Sequence, residues 1–130
     1  MKCLAEVTAE SDTPYWVRRD AFLSVVDHAD FECRDSLVIQ PRYLSTWFSG
    51  SNGGKSYFIL PAFYLERGRA FFINGRHRTA LLLQHLQLVP MSLTKTDAES
   101  TQYLEWMIEG RIQSGDLLEL PDLSIVDAIY

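Results

Sequence analysis

The stretch Phe71-Phe72-Ile73-Asn74-Gly75-Arg76-His77-Arg78-Thr79-Ala80-Leu81-Leu82-Leu83 changes its apolar pattern within a few residues. Up to Ile73 it reads as a short buried strand, and from Thr79 onward as a helix. A chain that passes from strand to helix with no linker must start the helix at the strand's end. Asn74 or Gly75 then takes the N-cap, where Asn offers a side-chain oxygen and glycine tolerates positive φ. The first helical turn holds Arg76, His77 and Arg78. A helix start carries about half a positive charge, and each cation placed there costs about 0.3–1 kcal/mol.

An anion at the same point removes that conflict. The free N–H groups and dipole of a helix start favour phosphate, guanidinium groups bind it through two parallel hydrogen bonds, and His77 can donate a hydrogen bond or shuttle a proton. Gly75 would let a ligand approach the backbone or supply a positive φ. The candidate phosphate- or nucleotide-binding set is therefore Asn74, Gly75, Arg76, His77, Arg78 and Thr79, with Arg42 as a further member of the cradle. His77 is the candidate catalytic acid or base. Read as an exposed cation opposed to the dipole, Arg78 is expected to be dispensable for folding. The alternative is structural: long arginines can swing toward acids elsewhere in the chain.

Those acids are plentiful, and the charge is divided along the chain. Residues 1–40 hold four Lys/Arg against eight Asp/Glu, and residues 96–130 hold Arg111 against eight acids. Residues 41–95 hold seven Lys/Arg against Glu66 alone. A basic middle between acidic ends points to a local anion site, not to a surface coated by nucleic acid. The hydrophobic fraction of 47% and the length of 130 residues fit one soluble domain with a real core. No apolar run is long enough for a membrane span, and the first residues lack a signal-peptide core, so a cytoplasmic protein without membrane insertion is expected. Cys3 and Cys33 are too few for a disulfide framework or zinc knuckle, and Asp27-His28-Ala29-Asp30 lacks the second cluster that a metal site needs.

The remaining pattern predicts a small α+β domain, a mixed sheet flanked by helices. Strands are expected over residues 15–17, 37–39, 57–60, 62–65, 70–73 and 88–93, with a hairpin turn at 66–69. Helices are expected over 20–26 and 75–87, the second burying Ala80, Leu81, Leu83 and Leu86. Residues 43–48 read as one or two helical turns and 49–56 as a flexible loop. Thr96 and Glu99 form a capping box that opens a helix to about Gln113, with Gly115 as its stop. Residues 116–130 are expected to pack through Leu117, Leu118, Leu120 and Ile125.

Ile73-Asn74-Gly75-Arg76-His77-Arg78-Thr79-Ala80, with Leu88-Val89-Pro90-Met91-Ser92-Leu93, resembles the core of the ParB/sulfiredoxin-like superfamily. ParB proteins carry GERR-x-R at this point and sulfiredoxins GGCHR, each followed by a helix and a strand opened by V-P or I-P. Val38-Ile39-Gln40-Pro41-Arg42 is similar to the Q-P-R segment that opens ParB domains. The likeness spans about residues 37–95 of a single domain, leaving residues 96–130 as an acidic part expected to be helical. The N-G-R-H-R form is most similar to plasmid fertility-inhibition factors of the oncogenic-suppression (Osa) type. That resemblance implies inhibition of conjugative or type IV secretion transfer, ATPase or nuclease activity, ATP or another nucleotide with Mg as cofactor, and phosphate contacts from His77 and Arg78. Arg76 stands where sulfiredoxin has its catalytic Cys, which excludes the sulfur-linked chemistry of peroxiredoxin repair. There is no room for ParB's helix-turn-helix and dimerisation regions. Two readings stay open: a nucleotide- or nucleic-acid-phosphate-binding protein, or a non-catalytic protein whose acidic surface engages a secretion or coupling partner.

Overall fold

A computed structural model describes residues 1–31 and 41–126. The expected strand at 37–39, Cys33 and most of the 38–42 likeness lie outside the described residues. The described chain forms a small α+β domain with mixed sheets and three α-helices.

The larger sheet has five strands in the order β7-β6-β8-β2-β9. These are β2 (Thr13–Arg18), β6 (Ala62–Glu66), β7 (Arg69–Asn74), β8 (Leu88–Thr96) and β9 (Ile108–Arg111). Strand β8 is central, and Val89 through Leu93 are all buried, as expected of a strand covered on both faces. Its Pro90 pairs with Trp16 of β2, while β6 joins β8 only from Ser92 onward. The residue without an N–H thus faces a single ladder. The β6–β7 hairpin turns through Arg67 and Gly68, both at positive φ (52° and 72°), the turn whose twist matches the flanking strands.

The second sheet runs β10-β1-β5-β4, from β1 (Lys2–Glu6), β4 (Phe48–Asn52), β5 (Lys55–Ile59) and β10 (Leu117–Glu119). A short parallel pair joins β3 (Tyr43–Leu44) to β11 (Ile125–Val126). Helices α1 (Arg19–Val25), α2 (Arg76–Leu83) and α3 (Thr101–Met107) complete the described elements. The core has two aromatic foci. Phe22 of α1 meets Phe63 and Phe72 edge-on at 5.6 and 5.8 Å, and Phe48 and Phe58 enclose Tyr43. In α2 every residue from Arg78 to Leu83 is buried, so this helix is surrounded, not amphipathic.

Several expectations are corrected. Residues 49–56 form an antiparallel hairpin, β4–β5, turning at Gly53-Gly54 with both φ angles positive. Residues 43–48 hold strand β3 and a single 3₁₀ turn, Ser45–Trp47. Helix α2 stops at Leu83, where the Arg19 Nε donates to the Leu83 carbonyl at 2.7 Å. The capping residue is Asp97, whose side chain accepts from the Ser100 N–H, while Thr96 ends β8. Helix α3 ends at Met107 because the chain then pairs with β2 as β9, and the Arg18 guanidinium takes the Trp106 and Ile108 carbonyls at 2.8 and 2.7 Å. Beyond it the acidic part forms strands. Leu118 and Leu120 are buried as expected, whereas Leu117 and Ile125 are exposed. Among the described residues no helix is long and apolar enough to cross a membrane.

Candidate functional site

Strand β7 ends at Asn74, Gly75 is the N-cap of α2 at φ 87°, and the first turn follows at once, the junction expected from the sequence. No side chain caps this helix start, and its first turn contains no acidic residue. Gly75 is required by its positive φ and by contact: an added Cβ would lie 2.5 Å from the Pro61 Cβ and 2.7 Å from its Cα. The neighbour that needs a bare backbone here is Pro61.

The two arginines have different fates. Arg76 turns to Asp30, donating from Nε to its carbonyl at 2.7 Å and from Nη2 to Oδ1 at 2.6 Å, with its guanidinium 5.6 Å from the Phe72 ring centroid. Asp30 also accepts the Phe72 N–H at 2.7 Å, so the ion pair locks α2 to β7. Arg76 is therefore structurally engaged, and its charge is neutralised. Asp30 lies 46 residues earlier in the chain, and no local signal announces it.

Arg78 is buried, with 8% of its surface exposed. It donates from Nη1 to the Ile59 carbonyl at 2.7 Å and from Nη2 to the Asn74 Oδ1 at 2.9 Å. Both acceptors are neutral, and among the described residues no carboxylate pairs with it. Burial pushes its pKa down to about 10, so it stays charged at neutral pH. The expectation of an exposed cation is corrected. The helical spacing already hinted at it, since position 78 shares a face with Leu81 and Leu82. Burying an ion costs several kcal/mol, and the two charge-assisted hydrogen bonds are of the size needed to offset it.

His77 is exposed on the first turn, and no hydrogen-bonded carboxylate orients it among the described residues. Thr79 is fully buried and its Oγ1 has no hydrogen-bond partner, so its hydroxyl lies out of reach of a solvent-borne ligand. Arg42 is exposed just ahead of β3, and among the described residues it shares no hydrogen bond or ion pair with residues 74–79. The structure thus brings together Asn74, Gly75, Arg76 and Arg78, with His77 at the rim, and does not tie Arg42 to them. Asp27 and Asp30 hydrogen-bond within their own loop, Asp30 N–H to Asp27 Oδ1 at 2.9 Å. Among the described residues no group of three or more His, Cys, Asp or Glu approaches a metal-binding arrangement.

Compared with protein families, curated proteins and solved structures, the chain shows no significant match to any.

Proposed function

We propose that this domain binds a phosphate-bearing ligand, a nucleotide or the phosphodiester of a nucleic acid, at the start of α2. The observation that carries the reading is Arg78: a buried guanidinium that pairs with no carboxylate among the described residues, beside a helix start with no side-chain cap. Among the described residues Arg78 uses two of its five N–H donors, and the fixed Asn74 and Ile59 acceptors hold its plane. The dipole and the guanidinium add at one place, and His77 supplies an exposed donor beside them. The likeness of residues 73–80 and 88–93 to the ParB/sulfiredoxin-like superfamily supports the same ligand class. It extends the proposal to plasmid-linked inhibition of conjugative transfer, with nucleotide or nucleic-acid hydrolysis as the associated activity.

One observation favours binding without turnover. Among the described residues no carboxylate orients His77, and the charge of Arg76 is neutralised by Asp30, so phosphoryl transfer would proceed with little general-base help. In that second reading the domain is a non-catalytic interaction protein. Thermal unfolding in the presence of pyrophosphate, ATP or ADP tests the first reading. Ligand at about one hundred times its Kd stabilises by about 2.7 kcal/mol. A melting temperature that no phosphate compound moves would discard it.

A further inference from the structure

Among the described residues, the outward face of the β6–β7 hairpin is not used by the core. Tyr64 and Phe71 stand opposite each other in the ladder, and their rings stack with centroids 5.3 Å apart and planes 20° from parallel. Further along β7, Ile73 falls in the bulge and is 47% exposed. Phe63, Leu65 and Phe72 of the same strands belong to the core cluster, whereas Tyr64, Phe71 and Ile73 neither belong to it nor pack against it. Tyr64 and Phe71 are half-buried, so the stacked pair keeps part of its ring surface accessible beside the exposed Ile73.

Cations stand beside it. The Lys95 Nζ lies 5.0 Å from the Tyr64 ring centroid. Arg69, at the start of β7, alternates onto the same face as Phe71, and Arg67 in the turn is also exposed. Glu66 faces Arg69 across the ladder, and the Asp97 carboxylate accepts the Arg67 N–H at the hairpin tip, so Lys95 is the cation that stands over the rings.

We infer that this face is a platform for single-stranded nucleic acid. Bases have π-faces that stack on aromatic rings whatever their sequence, and the strand's phosphates need cations beside the rings. Both are present on one hairpin. A duplex keeps its bases stacked within itself and cannot offer those faces, so the platform selects single strands. From Phe71 to Gly75 the chain covers about 13 Å at about 3.3 Å per residue, so one short strand reaches from the rings to the start of α2. The inference rests on the phosphate reading only for that last contact.

The test measures anisotropy of a labelled short oligothymidylate with the full chain, alongside the thermal shift produced by pyrophosphate. The oligothymidylate is expected to bind, and a duplex of the same length to bind at least about ten-fold more weakly. Tyr64→Ala and Phe71→Ala should each weaken the single strand by about ten-fold, the usual size of one lost stack, while leaving the pyrophosphate shift unchanged. Lys95→Glu, at an exposed site, keeps the test readable if an aromatic variant fails to fold, and should lower both the affinity and its salt dependence. No binding by the wild-type chain, equal binding of duplex, or unchanged affinity in all three variants would overturn the platform. So would a wild-type dimer in light scattering that Phe71→Ala disperses, which would make the face a self-association surface. Strand binding without a pyrophosphate shift leaves the platform standing and removes the helix-start reading, and the reverse result removes the platform alone.

Discussion

Gly75 and Pro61 touch so closely that the packing depends on the absence of a side chain: a Cβ on Gly75 would meet the Pro61 Cβ at 2.5 Å. The obstacle includes the Pro61 Cα, so no flexible side chain can move aside. Gly75→Ala should cost about 1–2 kcal/mol for a left-handed alanine and about 1–3 kcal/mol for overpacking, a sum of about 2–5 kcal/mol. Gly54 has a similar φ of 80° but open space around it, so Gly54→Ala should show the conformational cost alone. Denaturant midpoints of the two variants check this. Equal losses would mean that Pro61 yields.

Burial of Arg78 moves the cleanest test of ligand binding to its neighbour. Arg78→Ala strips donors from the Ile59 carbonyl and Asn74 Oδ1, and should destabilise by about 1–3 kcal/mol while weakening pyrophosphate binding. His77 is exposed, so His77→Ala should hold stability within about 0.5 kcal/mol and still lower pyrophosphate affinity about ten-fold or more. Titration and melting on both variants decide it. Unchanged affinity in His77→Ala would remove this residue from the site.

Thr79 hides a hydroxyl with no partner. Valine has nearly the same shape without the polar atom, and burying an unsatisfied hydroxyl costs about 1–3 kcal/mol. Thr79→Val should therefore stabilise the domain by about 1 kcal/mol and leave pyrophosphate affinity unchanged. A loss of stability in thermal unfolding would show that the hydroxyl has a partner in solution.

Asp97 joins the hairpin tip to the start of α3, accepting the Arg67 N–H at 2.9 Å through Oδ2 and the Ser100 N–H at 3.0 Å through Oδ1. Hydrogen bonds from Ser100 first, then from the Arg67 backbone, hold its carboxyl below the ordinary range. A lowered acid contributes stability that is complete above its unfolded value of about 3.9 and disappears as pH falls through the lower folded value. The stability gap between wild type and Asp97→Asn should be flat near neutral pH and close in that acidic window. Urea midpoints across pH measure it, and a gap that persists to the lowest pH at which the chain folds would refute the assignment.

What the sequence disclosed was local chemistry. The Arg67-Gly68 turn, the Asn74–Arg78 junction and the run Leu88–Leu93 each carry their signal within a few residues, and all three stand in the fold. The errors lie where distant pairing decides. Phe48–Asn52 reads as a loop because Ser, Gly and Asn are poor strand formers, yet β5 pairs with it; the Gly53-Gly54 pair was the available hairpin signal. Ile108 and Ile112 continue a helical spacing, but β2 captures the chain from Ile108. At the site, the change of apolar pattern after Ile73 marks the helix start, while Asp30, Ile59 and Pro61, which determine what each arginine and Gly75 do there, come from other parts of the chain.

Strand β1 lies between β5, which it pairs in parallel, and β10, which it pairs antiparallel. During synthesis it leaves the ribosome long before either neighbour. At about 5–20 residues per second, residues 117–119 follow on the order of 5–20 s later. Throughout that interval Cys3, buried in the finished domain, has no complete sheet to enter. The second sheet closes only after residues 117–119 have been made, and until then the free edge of β1 is open to chaperones and to competing strands.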